Sequence, residues 1–344
     1  MPEASTLFPR ELERLADGLE QVERAMREQL VSESELVAAI GQHVLSSGGK
    51  RIRPVLLFLS AELCGYTGPR RVQVAAAVEL LHTATLLHDD VVDLSQLRRG
   101  RPSANAVWGN RRAVLVGDFF YAKASSMIVE DGDPDILWVF ADTIRQMAEG
   151  ELLQLQRSFD PSVTEAHYYR VIDRKSAALL SAACEAGSIL GGVTRAERRR
   201  LAEFGRELGL AFQLRDDALD YEAGEAALGK SRYADLREGK VTLPVLLAQK
   251  RCSHAERDEV AEVLKRAARA AAASADGQAD AATLTDADLA PVIRLVAQYR
   301  GVEDTVRRAD EHVARAAAAI APFPSGAAKE ALLAAARYAV GRDH

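Results

Sequence analysis

Apolar residues recur along nearly the whole chain at the three- and four-residue spacing of one helix face, and no sustained period-two alternation flanked by turn residues reads as a strand. That pattern predicts an all-α fold. Gly and Pro punctuation at Gly48-Gly49, Gly68-Pro69, Gly100-Arg101-Pro102, Asp131 to Pro134, Asp160-Pro161, Gly191-Gly192 and Pro322 to Gly326 divides it into about ten or more helices. No composition break precedes residue 266, so the first two thirds read as one domain. The Ala-rich stretch 267–282, interrupted by Ser274, Asp276 and Gly277, is expected to be a fraying helix end and a flexible loop.

Of the 344 residues 48% are hydrophobic and 27% charged, which supplies a core and excludes disorder as the main state. Lys plus Arg number 44 against 50 for Asp plus Glu, a net charge of −6, so there is no broad electrostatic case for binding nucleic acid. Cys64, Cys184 and Cys252 lie far apart with no CxxC pair, which predicts neither a disulfide framework nor a zinc knuckle. They fit small apolar groups packed in a reducing cytoplasm. No apolar run approaches the roughly 20 residues of a membrane-spanning helix. The acidic, amphipathic start of the chain lacks the features of a signal peptide and is expected to stay on the mature protein.

The chemistry begins with an approximate repetition. Leu86-Leu87-His88-Asp89-Asp90-Val91-Val92-Asp93 and Phe212-Gln213-Leu214-Arg215-Asp216-Asp217-Ala218-Leu219-Asp220 both place DDxxD directly after an apolar helical run. On a helix Asp89 and Asp93 share one face about a turn apart, as do Asp216 and Asp220. Like charges at that spacing repel, and hard cations relieve the repulsion. Oxygen ligands suit Mg²⁺ best when a substrate's phosphates complete its shell. A single such motif also describes an acidic, solvated helix end, but two copies embedded in apolar sequence argue against that.

The second ingredient is cationic. Gly48-Gly49-Lys50-Arg51-Ile52-Arg53-Pro54 is a Gly turn leading into Lys and Arg side chains, and Arg98-Arg99-Gly100 follows the first carboxylate cluster closely. Arg174-Lys175, Lys230 and Lys240 come later. Each alone reads as a surface charge. Together with the carboxylates they predict one site for two anionic groups, one held through metal and one held directly.

GGKRIRP, LLHDDVVD followed by RRG, VLVGDFFY, EGELLQL, FQLRDDALDY and EGKVTLP resemble, in order and spacing, the trans-polyprenyl diphosphate synthases, from about Leu36 to the C-terminus. The chain looks most similar to the long-chain, octaprenyl-type members. The resemblance implies a single-domain antiparallel helical bundle around a central cavity, a homodimer, and acidic motifs facing each other at the cavity mouth. It implies Mg²⁺, about three ions per site, with Asp89 and Asp93 on two ions, Asp216 on another, and Asp90, Asp217 and Asp220 completing the shells. Arg98, Lys175, Lys230 and Lys240 would contact the allylic diphosphate; Lys50, Arg53, His82 and Arg99 would grip isopentenyl diphosphate. Ser176, where the family more often has Thr, and Gln213 would lie near the allylic carbon. In Ser231-Arg232-Tyr233-Ala234-Asp235 the family usually has Gly at the Tyr233 position.

The implied reaction is head-to-tail condensation without a protein nucleophile. The allylic tail would run back along the helix of Asp89, past Thr85 and Ala84, each turn advancing about 5.4 Å. Short-chain members of the family carry an aromatic residue at one of these positions. The small Ala84 and Thr85 therefore predict a product longer than geranylgeranyl, with Met127 and Ile128 as the cavity floor. Competing readings are a farnesyl or geranylgeranyl synthase, a class I terpene cyclase, a non-catalytic synthase subunit and a plain helical scaffold. Two complete DDxxD motifs and the GGKRIRP segment favour the elongating enzyme.

Overall fold

The computed structural model describes residues 3–49, 51–222, 232–275 and 284–341. The chain opens with helices α1 (Glu3–Arg14), α2 (Ala16–Glu28), α3 (Glu35–Ser46), α4 (Ile52–Leu63) and the long α5 (Arg70–Val92). The only paired strands among the described residues are β1 (Leu97–Arg98) and β2 (Arg101–Pro102), a tight antiparallel hairpin. Helices α6 (Ala104–Trp108), α7 (Asn110–Asp131), α8 (Pro134–Leu155) and α9 (Glu165–Ile172) follow. A π-helical turn, Asp173–Ala177, then leads into α10 (Ala178–Leu190) and α11 (Arg195–Glu222). The rest comprises α12 (Ala234–Arg237), α13 (Leu243–Gln249), α14 (His254–Ala275), α15 (Asp286–Gln298), α16 (Gly301–Ala319) and α17 (Ala327–Gly341).

The expected all-α fold is present. The stretch from 267 continues α14 through Ala275, and Ala267 is buried. Alanine is the best helix former, so a run of it extends the helix until other residues intervene. Residues 276–282 lie outside the described residues.

Helix starts follow local chemistry. Asp133 accepts from the amides of Asp135 and Ile136 with Pro134 at the first helical position of α8, and Thr285 and Asp288 cap α15 reciprocally. Helix α5 is apolar on several sides because it lies inside the bundle, packed most extensively on α7 and also on α2 and α4. One apolar cluster joins α1 to α5, α7, α10 and the first part of α11. A second joins α9, the later part of α11 and α13 to α16. The site lies where these meet.

Close backbone approach there depends on two glycines. A Cβ at Gly150 of α8 would stand 2.7 Å from the Lys175 amide nitrogen, and one at Gly209 of α11 would stand 2.6 Å from Ala177 Cα. Both helices thus press directly on the π turn that carries Lys175 and Ser176. Single π turns inside helical segments are frequent at functional sites.

Candidate active site

Helix α5 ends at the first acidic motif, where the Asp93 amide donates to the Asp89 carbonyl at 2.8 Å and the chain turns into the hairpin. Asp89 and Asp93 line a cleft of about 220 Å³, and Lys175, Ser176, Gln213, Asp217 and Lys240 line the same space. The cleft thus gathers residues from α5, the π turn, α11 and the segment after α12. Apolar Val163, Val171, Ile172 and Val241 complete much of the wall.

Charges are balanced within it. Burial raises the Asp89 carboxyl above its ordinary range; Lys175 works against that rise, and Glu151 and Asp93 add to it. Lys175 is ion-paired with Glu151. Lys240 lies 3.0 Å from Asp93 and 2.6 Å from Glu238. Burial disfavours its charge, but Glu238, Asp93 and Asp235 outweigh burial and keep it protonated. Asp90, one residue round the helix, faces inward and takes Arg98 Nε and Nη2, each at 2.7 Å, on the same oxygen.

The second motif is more deeply enclosed. Asp217 accepts from Tyr168 Oη at 2.5 Å and from Gln213 Nε2 at 2.8 Å, and burial with the nearby Asp235 pushes its carboxyl well above the usual range. Ser176 Oγ donates to Gln213 Oε1 at 2.7 Å. Asp220 is fully buried and accepts from the amides of Ala234 at 3.2 Å and Asp235 at 3.4 Å. Asp216 is half-buried on the same helix. Asp90, Asp216 and Asp220 are not among the residues lining the cleft. Tyr233, where the resembling family usually has Gly, adopts a left-handed backbone with φ 57°, the conformation Gly takes without cost. Its ring packs edge-on against Tyr221, with centroids 5.6 Å apart, and Arg232 stacks over it. Those contacts help offset about 1 kcal/mol of backbone cost.

A cationic corner lies beside α5. Burial, then Arg53, Arg99, Arg98 and Arg51, hold the His82 imidazole well below its ordinary pKa, so it is neutral. Burial also lowers Arg53, whose Nε has no hydrogen-bond partner among the described residues. Arg99, in the left-handed region at φ 52°, packs against Gly49, where a Cβ would meet its guanidinium at 2.9 Å. Arg51, also left-handed, is bound by Glu79 at 3.1 Å and Glu23 at 3.3 Å. The structure therefore brings Arg53, His82 and Arg99 together. Lys50 and Lys230 lie outside the described residues.

Behind Asp89, Ala84 is buried, and Thr85 donates to the His82 carbonyl at 2.8 Å. Met127 and Ile128 of α7 are buried in the same apolar cluster as Ala84. Sequence reasoning gave no role to Gln154, which EGELLQL contains, and missed Arg157, His167 and Tyr168; all four line the cleft. Nothing local marks the last three: Tyr168 meets Asp217 across 49 residues of chain.

Among the described residues no three His, Cys, Asp or Glu side chains converge to hold a metal ion. The donor set still suits Mg²⁺, which is commonly bound through one or two carboxylates with water and substrate phosphate completing its octahedron. Asp89 and Asp93, adjacent carboxylates on the cleft wall, have that chemistry. Among the described residues no helix is long and apolar enough to cross a membrane.

An all-α cleft with aspartates on facing helices and a separate cationic corner is the arrangement of an enzyme that handles diphosphates. The chain belongs to the polyprenyl synthetase family, whose pattern it matches over residues 34–278, and it is a trans-prenyltransferase. It is 42% identical over 331 residues to octaprenyl diphosphate synthase of Escherichia coli, covering 96% of this chain and 98% of that one. A polyprenyl synthase from Caulobacter crescentus, solved with calcium and isoprenyl diphosphate, superposes with a TM-score of 0.90 at 38% identity over 98% of both chains. A decaprenyl diphosphate synthase from Rhodobacter capsulatus gives a TM-score of 0.87 at 37% identity, covering 98% of this chain and 99% of that one.

Proposed function

We propose that the protein condenses isopentenyl diphosphate with an allylic diphosphate to give an all-trans polyprenyl diphosphate longer than geranylgeranyl. The observation that carries this reading is the single cleft on which Asp89, Asp93 and Asp217 converge with Lys175 and Lys240. Asp89, Asp93 and Asp216 bind Mg²⁺, about three ions per site, with Asp90, Asp217 and Asp220 supporting them. Bound Mg²⁺ neutralises charge on the allylic diphosphate.

Lys175, Lys230, Lys240 and Arg98 stabilise that diphosphate as its bond to the allylic carbon breaks and negative charge develops on the leaving oxygens. Lys50, Arg53, neutral His82 and Arg99 hold isopentenyl diphosphate so that its double bond faces the delocalised allylic cation. The double bond attacks, forming the new carbon–carbon bond, and the released diphosphate accepts the proton then lost. Ser176 and Gln213 lie beside the reacting carbon. Apolar walls keep water from trapping the cation.

The growing tail runs back past Thr85 and Ala84 toward Met127 and Ile128. The protein works as a cytoplasmic homodimer in this reading. Supporting the dimer, α7 and α8 expose Leu115 at 60%, Val129 at 61% and Trp138 at 73%, an apolar surface suited to a second copy. Supporting a single domain, α11 places Leu201, Phe204 and Leu208 in one apolar cluster and Leu210, Leu214 and Tyr221 in the other.

The test is mass analysis of products formed from isopentenyl diphosphate with each allylic primer. Hexaprenyl to decaprenyl products are expected, and Ala84→Phe should shorten them to farnesyl or geranylgeranyl. A wild-type product that stops at geranylgeranyl in excess isopentenyl diphosphate overturns the length assignment. Consumption of an allylic diphosphate without isopentenyl diphosphate would indicate a cyclase.

A further inference from the structure

Tyr168 is absent from every sequence motif, yet it forms a short buried contact with the second acidic motif. Its hydroxyl donates to Asp217 Oδ2 at 2.5 Å, and Tyr168 and Asp217 are only 5% and 1% exposed. The other carboxylate oxygen takes the Gln213 amide at 2.8 Å, and the Gln213 carbonyl takes the Ser176 hydroxyl at 2.7 Å. A continuous chain thus crosses from α9 to α11 and back to the π turn beside Lys175.

The donors and acceptors give this chain a fixed direction. Both Asp217 oxygens accept, so Gln213 turns its NH₂ toward Asp217 and its carbonyl toward Ser176. Ser176 then donates its only hydroxyl proton to Gln213, leaving oxygen lone pairs, the negative end of its dipole, available to the cleft. Desolvating Asp217 is costly unless both oxygens are bonded, and Tyr168 supplies the donor that Gln213 cannot.

We propose that Tyr168 is a positioning residue. Its hydroxyl fixes the Asp217 carboxylate and, through Gln213, orients the Ser176 hydroxyl beside the reacting allylic carbon. This rests on the prenyl-transfer reading above. Phenylalanine at 168 keeps the ring that packs against Tyr169, with centroids 5.5 Å apart, and removes only the donor.

The experiment compares Tyr168→Phe with wild type in turnover and, separately, in calorimetric binding of inorganic pyrophosphate with Mg²⁺. Expected is a loss in kcat of about 30-fold with KM for isopentenyl diphosphate within twofold, together with pyrophosphate binding weakened about tenfold. Wild-type kcat and wild-type pyrophosphate binding in a folded Tyr168→Phe protein would overturn the proposal, as would a lowered melting temperature with both unchanged. If Tyr168→Phe does not fold, Ser176→Ala and Ser176→Thr test the other end. The relay requires Ala to lose kcat by about tenfold and Thr to restore it; equal rates for the two would refute it. A wild-type chain that never consumes isopentenyl diphosphate would refute the functional reading instead, while pyrophosphate binding would still report on the relay.

Discussion

The two DDxxD segments have the same spacing and opposite surroundings. After Asp93 the chain leaves through a two-stranded hairpin, so Asp89 and Asp93 remain on the cleft wall and only Asp90 turns inward to Arg98. Above Asp220 the chain returns as α12, whose first amides land on that carboxylate and bury it. Spacing decides which carboxylates share a helix face. What later covers that face decides whether they meet a ligand or hold backbone.

That contrast can be broken experimentally. The largest expected effect is on Asp89→Ala, which should lose about 1,000-fold or more in kcat while melting no earlier than wild type, because burial already disfavours this charge. Near wild-type turnover at saturating Mg²⁺ would remove Asp89 from the metal site. Asp220→Ala should instead destabilise the fold by about 3 kcal/mol, since two amides lose their acceptor, as read by urea unfolding. Unchanged stability would make the two motifs alike after all.

A smaller effect concerns how α11 is anchored upstream of its motif. Glu207 takes His312 Nδ1 at 2.7 Å and Arg315 Nε at 2.8 Å; burial opposes its charge, but these bonds outweigh it and hold the carboxyl down at about 2. A depressed pKa stabilises the fold above the ordinary carboxyl value, and that stability is lost as pH falls from about 4.5 toward 2. Glu207→Gln should cost about 2 kcal/mol at pH 7, discounted for the half-exposed Arg315, and the difference from wild type should shrink across that range in urea titrations. The smallest effect is on Arg53→Ala, expected to raise KM for isopentenyl diphosphate about tenfold with kcat little changed, because that group is held alike before and during reaction. A kcat loss at constant KM would place Arg53 on the leaving diphosphate.

Much of this was legible from residues. Helical periodicity gave the fold class, since a repeat near 3.6 buries one stripe only as a helix. Paired carboxylates and scattered cations, together with the family likeness, marked the chemistry. In the Ala-rich stretch from 267 the helix continues through Ala275, and the rest of the loop expected there lies outside the described residues.

By itself, then, the sequence determined which residues each helix presents together: Asp89 with Asp93, and Ala84 a little over one turn behind. Periodicity along one helix is a local property and needs no partner. Only the tertiary structure decided that Tyr168 would reach Asp217 and that Asp220 would hold the start of α12. Those pairings join residues far apart in the chain, and they depend on how closely the helices pack, as Gly150 and Gly209 allow at the π turn.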